Sequence, residues 1–274
     1  MKKTLLLATV LILACITTYA QLKPQPLKKL LELKMPKTAE DDMPGTRGAS
    51  VSWHPVQRKY YASFAGNAGY PLGVFDEKAK LLSGDEQTTM ADTRGLWYDP
   101  VTKLICGNSY NDGGWFSYKL EKTGIPSEII YTNDGMNQPN GQCAGTYNPL
   151  AKRVLFLQAS QVFMYNNTAE LQDSLVIHWG RSKADGVEED EDPEYFNEDY
   201  NSTTLVYTGI KGQELGFLNI TNKQVELYDI KTGFLTKTLS FPETAITEPT
   251  FNFAYANGIY WLFNMELRKW VGYK

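Results

Sequence analysis

Histidine is almost missing from this chain: His54 and His178 are the two in 274 residues. A zinc centre or a Ser-His-Asp relay would need one of them. His54 occupies a turn position held elsewhere by Asp99 and Asn148, which makes it structural. His178 has no Cys or His at ligand spacing. No metal centre and no catalytic residues are therefore expected. Cysteine is scarce too, at Cys15, Cys106 and Cys143. The last two could pair in an oxidising compartment or pack as small buried hydrophobes. A basic stripe is also lacking. The formal net charge is −4, and without Lys2 and Lys3 it becomes −6, from 25 basic and 31 acidic residues. That balance argues against nucleic acid and against anionic membrane surfaces as partners. Beyond residue 20 no run is apolar enough to span a bilayer.

What is present starts with a leader pattern. Met1-Lys2-Lys3 is followed by a nearly continuous apolar run from Leu5 to Ile16, and then by Thr18-Tyr19-Ala20 with small residues at −3 and −1. This layout predicts a secretory signal peptide over 1–20 and a single mature domain over 21–274, placed in the periplasm or outside the cell. The run falls short of the ~20 residues of a spanning helix, although an uncleaved anchor is the alternative. Ile12-Leu13-Ala14-Cys15 offers another, a lipoprotein anchored through Cys15. The Lys-Lys start and the Ala-Gln junction resemble exported proteins of Bacteroidota.

The remainder reads as strands and turns. Tyr (17) and Phe (12) are plentiful, and Gly, Asn, Asp and Pro punctuate the sequence at all-β intervals. Helical periodicity shows only briefly, from Leu27 to Leu33. A repeat is visible. Trp53-His54-Pro55, Tyr98-Asp99-Pro100 and Tyr147-Asn148-Pro149 each lead through a basic turn into an apolar strand. Tyr207-Thr208-Gly209 and Tyr255-Ala256-Asn257-Gly258 do likewise. The aromatics are 45, 49, 60 and 48 residues apart. A second hairpin tip follows in each of the first four units, at Asp76–Ala79, Leu120–Gly124, Asn166–Ala169 and Asp229–Gly233. Four strands in about 45 residues is the period of a propeller blade, in which stacked sheets bury one another's faces.

The fifth unit has only three strands before the C-terminus. The segment Leu27 to Met35 can supply the fourth, pairing the two chain ends and closing the ring. The expected fold is all-β: a β-propeller of five four-stranded blades, with six as the alternative. The Tyr-Asp-Pro and Tyr-Asn-Pro turns and the tip Leu227-Tyr228-Asp229-Ile230-Lys231-Thr232-Gly233 resemble the broad β-propeller superfamily with YVTN, NHL or WD40-like blades. The resemblance covers nearly all of residues 21–274 and implies architecture, not activity.

In such a ring, ligands would meet the loops that lead into each first strand. Those loops carry Arg47 and Arg94 in a repeated Thr-Arg-Gly, 47 residues apart, and also Gln142, Asn201 and Asn252. Two converging guanidinium groups would suit a carboxylate or a sulfated sugar. The alternative is that each Arg pairs with an acid such as Asp92 and locks blades together. Tyr110 and Trp115 flank Asn111-Asp112-Gly113-Gly114 and could stack on a sugar ring, whereas Trp53 and Trp97 are expected in the core. Nine acids between Asp185 and Asp199 mark an inserted loop over about 181–200. It offers oxygen ligands to calcium but lacks the alternating pattern of a calcium loop, so no cofactor is expected. The leading expectation is a non-catalytic binding or scaffold module of the cell envelope, engaging a protein or a glycan. A glycoside hydrolase or lyase acting at the central channel is the alternative, and it needs two facing carboxylates.

Overall fold

A computed structural model describes residues 23–41, 45–186 and 192–274. The expected signal peptide, Cys15 and the centre of the acidic insert lie outside the described residues. The turn chemistry explains why the repeat folds as hairpins. Asp99 Oδ1 accepts the Val101 N–H at 2.9 Å and Asp99 Oδ2 accepts the Thr102 hydroxyl at 2.9 Å. Asn148 Oδ1 accepts the N–H groups of Leu150 and Ala151, both at 3.1 Å. His54 Nδ1 accepts the Gln57 N–H at 3.2 Å. Each side chain closes its turn on its own backbone, which is why Asp, Asn and His are interchangeable there. The outer tips use the same device. Asp76, Asn166 and Asp229 each accept backbone N–H groups two residues on, at 2.7 to 3.0 Å.

These hairpins build five sheets. The first blade has β3 (Gly48–His54), β4 (Lys59–Phe64) and β5 (Leu72–Asp76), and the second has β6 (Thr93–Asp99), β7 (Leu104–Ser109), β8 (Trp115–Leu120) and β9 (Pro126–Asn133). The third has β10 (Thr146–Asn148), β11 (Arg153–Gln158), β12 (Gln161–Tyr165) and β13 (Leu171–Val176). The fourth has β14 (Tyr200–Tyr207), β15 (Leu215–Asn219), β16 (Gln224–Tyr228) and β17 (Leu235–Ser240). The fifth has β18 (Phe253–Ala256), β19 (Ile259–Asn264) and β20 (Lys269–Tyr273), completed by β2 (Lys29–Lys34). Five blades, not six, form the ring. The brief helical pattern in Leu27 to Leu33 yields to a strand, because β2 finds an open edge on β20 with Leu33 opposite Trp270. The short β1 (Gln25–Pro26) adds in parallel outside β17.

The outer edge of the first blade departs from the ideal. Its fourth position is filled by an irregular segment that bonds to β5 without a regular ladder, through the isolated bridge Phe75↔Leu81 and scattered contacts such as Leu82 N–H to the Val74 carbonyl and Leu72 N–H to the Gln87 carbonyl. Gly84 and the acids after it interrupt the alternation that a ladder requires.

The core lies between blades. Five main apolar clusters occupy the five interfaces, such as Tyr61, Leu72 and Val74 against Leu96, Phe116 and Tyr118 between the first two blades. Cys143 and Cys106 belong to the aromatic cluster between the second and third blades, with Trp97, Trp115 and Phe156. Both are free thiols. Near the axis the inner strands approach so closely that a Cβ on Gly95 would collide with the backbone of Gly145.

Candidate functional site

All inner strands start at one end of the ring, so the loops leading into them gather there. The centre of this face is Arg94, the second residue of β6, whose side chain is 5% exposed. Its guanidinium forms a two-pronged pair with Asp92, through NH1 to Oδ1 and NH2 to Oδ2. NH1 also donates to the Thr93 carbonyl at 3.1 Å, and Nε donates to Gln142 Oε1 at 3.1 Å. Tyr110 and Phe251 flank the cation at 4.5 Å and 5.5 Å from their ring centroids. Asp92 Oδ1 accepts the Gly66 N–H at 2.7 Å as well. One ion pair thereby ties loops from four blades, with its donors largely satisfied.

Arg94, Gln142 and Tyr110 are thus brought together. Tyr110 is 43% exposed and Gln142 faces solvent. Arg47 stands apart: it is exposed and makes no side-chain hydrogen bond or ion pair among the described residues. Asn201 is buried and works as a loop staple. Its Nδ2 donates to the carbonyls of Glu248 and Phe251, both at 2.8 Å, and its Oδ1 accepts the Thr203 and Thr204 N–H groups. Asn252 is buried beside it, with Oδ1 accepting the Gly48 N–H at 2.7 Å and Nδ2 without a partner. Phe251 and Asn252 have φ of 51° and 57°, a left-handed pair that is unusual for a bulky Phe. Trp115 corrects an expectation of exposure: it is 3% exposed. Its ring turns into the interface, 5.9 Å from Trp97 and 5.8 Å from Phe156, because β8 places it on the buried face beside those aromatics.

The axis itself offers little room. A space of about 20 Å³ lies among the inner strands, bounded by Ser50, Leu96, Gly145, Val206 and Phe253 from the five blades. That is about the room a single water needs.

The pairing of Arg94 with Asp92 is the alternative that the sequence offered, an Arg tied to a neighbouring acid that locks blades together. One group was not visible as a candidate in the sequence: Glu226 in β16, 5% exposed, whose Oε2 accepts the hydroxyls of Tyr200 and Tyr228 at 2.7 Å each, while Oε1 accepts Asn219 Nδ2 at 3.0 Å. Burial pushes both phenols well above their usual range, so they stay protonated and donating. An acid at an inward position of a strand pattern, between Val225 and Leu227, was the available signal. Among the described residues no group of three or more His, Cys, Asp or Glu is placed to hold a metal ion.

No protein-family model matches the chain, and no curated protein matches it by sequence. Among solved structures, the crystal structure of Myxococcus xanthus glutaminyl cyclase is similar over 92% of this chain and 98% of that one, with a TM-score of 0.55 and 10% identity. At that identity the likeness is one of fold. A nidogen/laminin complex matches over 70% of this chain and 63% of that one, with a TM-score of 0.41 and 12% identity, too low to carry an argument. Five stacked sheets around an axis, with the last completed from the N-terminal side, give the chain a five-bladed β-propeller fold.

Proposed function

We propose that the chain is a non-catalytic binding module of the bacterial cell envelope, engaging a protein or glycan partner through the loops around Arg94. The supporting observation is the axial space of about 20 Å³. A saccharide ring cannot enter it, so a ligand must be met on the rim. There, Tyr110 and Gln142 present an aromatic face and an amide on a platform that the Arg94–Asp92 pair holds together, and the exposed Arg47 adds a cation on the same face. Rigid loops on a closed scaffold lower the ordering cost of binding. The resemblance to an enzyme of the same fold does not transfer activity, since propellers host many functions. The glycoside hydrolase or lyase reading would need a cleft at the axis, and Asp92 there is committed to Arg94.

The test is a photo-crosslinking residue at Gln142, with the exposed Gln172 of β13 as control, in cells producing the exported chain. A discrete adduct from Gln142 that disappears on Arg47→Ala with Tyr110→Ala supports the reading. Absence of any adduct, with turnover of an envelope polysaccharide by the purified chain, would overturn it.

A further inference from the structure

We infer that the opposite end of the ring docks on an anionic lipid surface. Three successive inner turns share one pattern, Pro-aliphatic-x-basic: Pro55-Val56-Gln57-Arg58, Pro100-Val101-Thr102-Lys103 and Pro149-Leu150-Ala151-Lys152. The aliphatic residue in each is strongly exposed, at 70%, 67% and 85%. The fourth blade adds Ile210, 45% exposed, followed by Lys211. The chain therefore holds apolar side chains in water at equivalent positions around the ring, where nothing in the fold requires them. Isolated exposed apolar residues are ordinary, but a repeated set on one face marks an interaction surface.

The basic residue carries a second signal. Arg58, Lys103 and Lys152 have φ of 54°, 60° and 54°. That left-handed region favours glycine, and glycine is the usual choice at this point of a hairpin turn. The equivalent region of the fourth blade does use Gly209 and Gly212, and the fifth uses Asn257 and Gly258. The left-handed position holds a cation in all three of these turns, as it does at Lys223 and Arg268 elsewhere in the ring. Arg58 is paired with Glu77 of the outer turn, while Lys103, Lys152 and Lys211 extend into solvent.

Geometry selects the occupant. The three turns follow equivalent closing pairs, His54↔Lys59, Asp99↔Leu104 and Asn148↔Arg153, so their tips stand level around the axis. Aliphatic tips at one level, each beside a cation, fit a flat anionic interface: the tips insert at the headgroup boundary and the lysines meet phosphates. A peptide partner would want a groove, and the tips protrude. The outer turns at this end carry both signs, with Glu77 and Glu121 beside Lys78 and Lys122. Asp112, Asp134 and Asp199 lie at the other end, where the Asp199 carbonyl accepts the Ile220 N–H. The net charge averages over these two ends, which is why composition alone argued against such a surface.

The test uses the chain from Gln21 onward, which holds every described strand but not the apolar leader run. Co-sedimentation is measured with vesicles of phosphatidylcholine plus phosphatidylglycerol and of phosphatidylcholine alone. Binding to the mixed vesicles only is expected. It should weaken about tenfold or more in Val56→Ser/Val101→Ser/Leu150→Ser, and likewise in Lys103→Glu/Lys152→Glu/Lys211→Glu. No sedimentation with either vesicle, or sedimentation indifferent to both sets of substitutions, overturns the inference. Should the triple variants fold poorly, Leu150→Cys labelled with an environment-sensitive dye gives an independent reading. A blue shift on mixed vesicles is expected, and unchanged emission rejects the inference. Neither result depends on the partner proposed for the opposite rim.

Discussion

Asn252 and Gly48 hold each other twice: Asn252 Oδ1 accepts the Gly48 N–H at 2.7 Å, and the Gly48 carbonyl accepts the Asn252 N–H at 2.9 Å. This is the seam where the fifth blade meets the first. A Cβ on Gly48 would lie 2.5 Å from the Trp270 ring and 2.7 Å from that of Phe263. Asn252→Ala should destabilise by about 1–3 kcal/mol, for a buried N–H left unpaired, plus the strain of Ala at positive φ. Asn252→Gly should be the milder change, since it keeps the backbone freedom. Urea unfolding of the two variants separates the contributions, and equal losses would show that the backbone conformation does not matter.

A second seam lies close by. Asp41 and Arg268 are both buried and meet through two bonds of 3.0 Å, with Arg268 also 4.7 Å from the Phe64 ring centroid. Removing one member leaves the other charge in a dry place. Asp41→Asn should cost on the order of 3–5 kcal/mol, far more than breaking the exposed Lys119–Glu128 pair by Glu128→Gln, which solvent screens. Denaturant midpoints of the two variants check the ratio.

His54 gives the fold a pH dependence of known sign. Its Nδ1 accepts from the backbone and its Nε2 faces the Lys103 carbonyl at 3.0 Å, an arrangement for the neutral ring. Burial lowers its pKa. The unfolded chain takes up a proton near pH 6.5, and the folded chain does so only at lower pH, so stability is full above about 6.5 and declines below it. His54→Asn, copying Asn148, should flatten that decline. Melting temperatures at pH 7 and pH 5 for both proteins make the comparison, and parallel slopes would remove His54 from the explanation.

The thiols should be silent in the native protein. Burial pushes both Cys106 and Cys143 up to about 12. Neither carries appreciable thiolate at neutral pH; Cys143 is buried and Cys106 is half-buried. Alkylation of the chain from Gln21 onward, followed by mass spectrometry, should add little to the native protein and two groups in denaturant. A native protein that labels quickly would contradict the packing of the interface between the second and third blades.

Much of the ring was legible in the sequence, because its turns are chemical. Asp99, Asn148 and Asp229 announce hairpins by bonding their own backbone, and the recurrence of aromatic, turn and apolar strand counts the blades. The missing strand of the fifth unit was legible as an arithmetic deficit. What pairs with what across loops was not. The Arg94–Asp92 pair joins residues two apart in sequence, yet its partners Gln142, Tyr110 and Phe251 come from three other loops. The burial of Trp115 depends on Trp97 and Phe156, which only stacked blades bring near it. Likewise the separation of Lys103, Lys152 and Lys211 from Asp112, Asp134 and Asp199 emerges only when alternate turns are assigned to opposite ends.

The pairing of β2 with β20 also sets an order of events. Lys28 and Lys274 exchange backbone hydrogen bonds, so the ring cannot shut until β20 and β2, more than two hundred residues apart in sequence, have met. Such a long-range closure is slow, because its loop entropy is lost before its contacts form. Until then the fifth blade keeps an unpaired edge. Four blades can stack before that pairing, so the ordering of the fifth reports that the ring has closed.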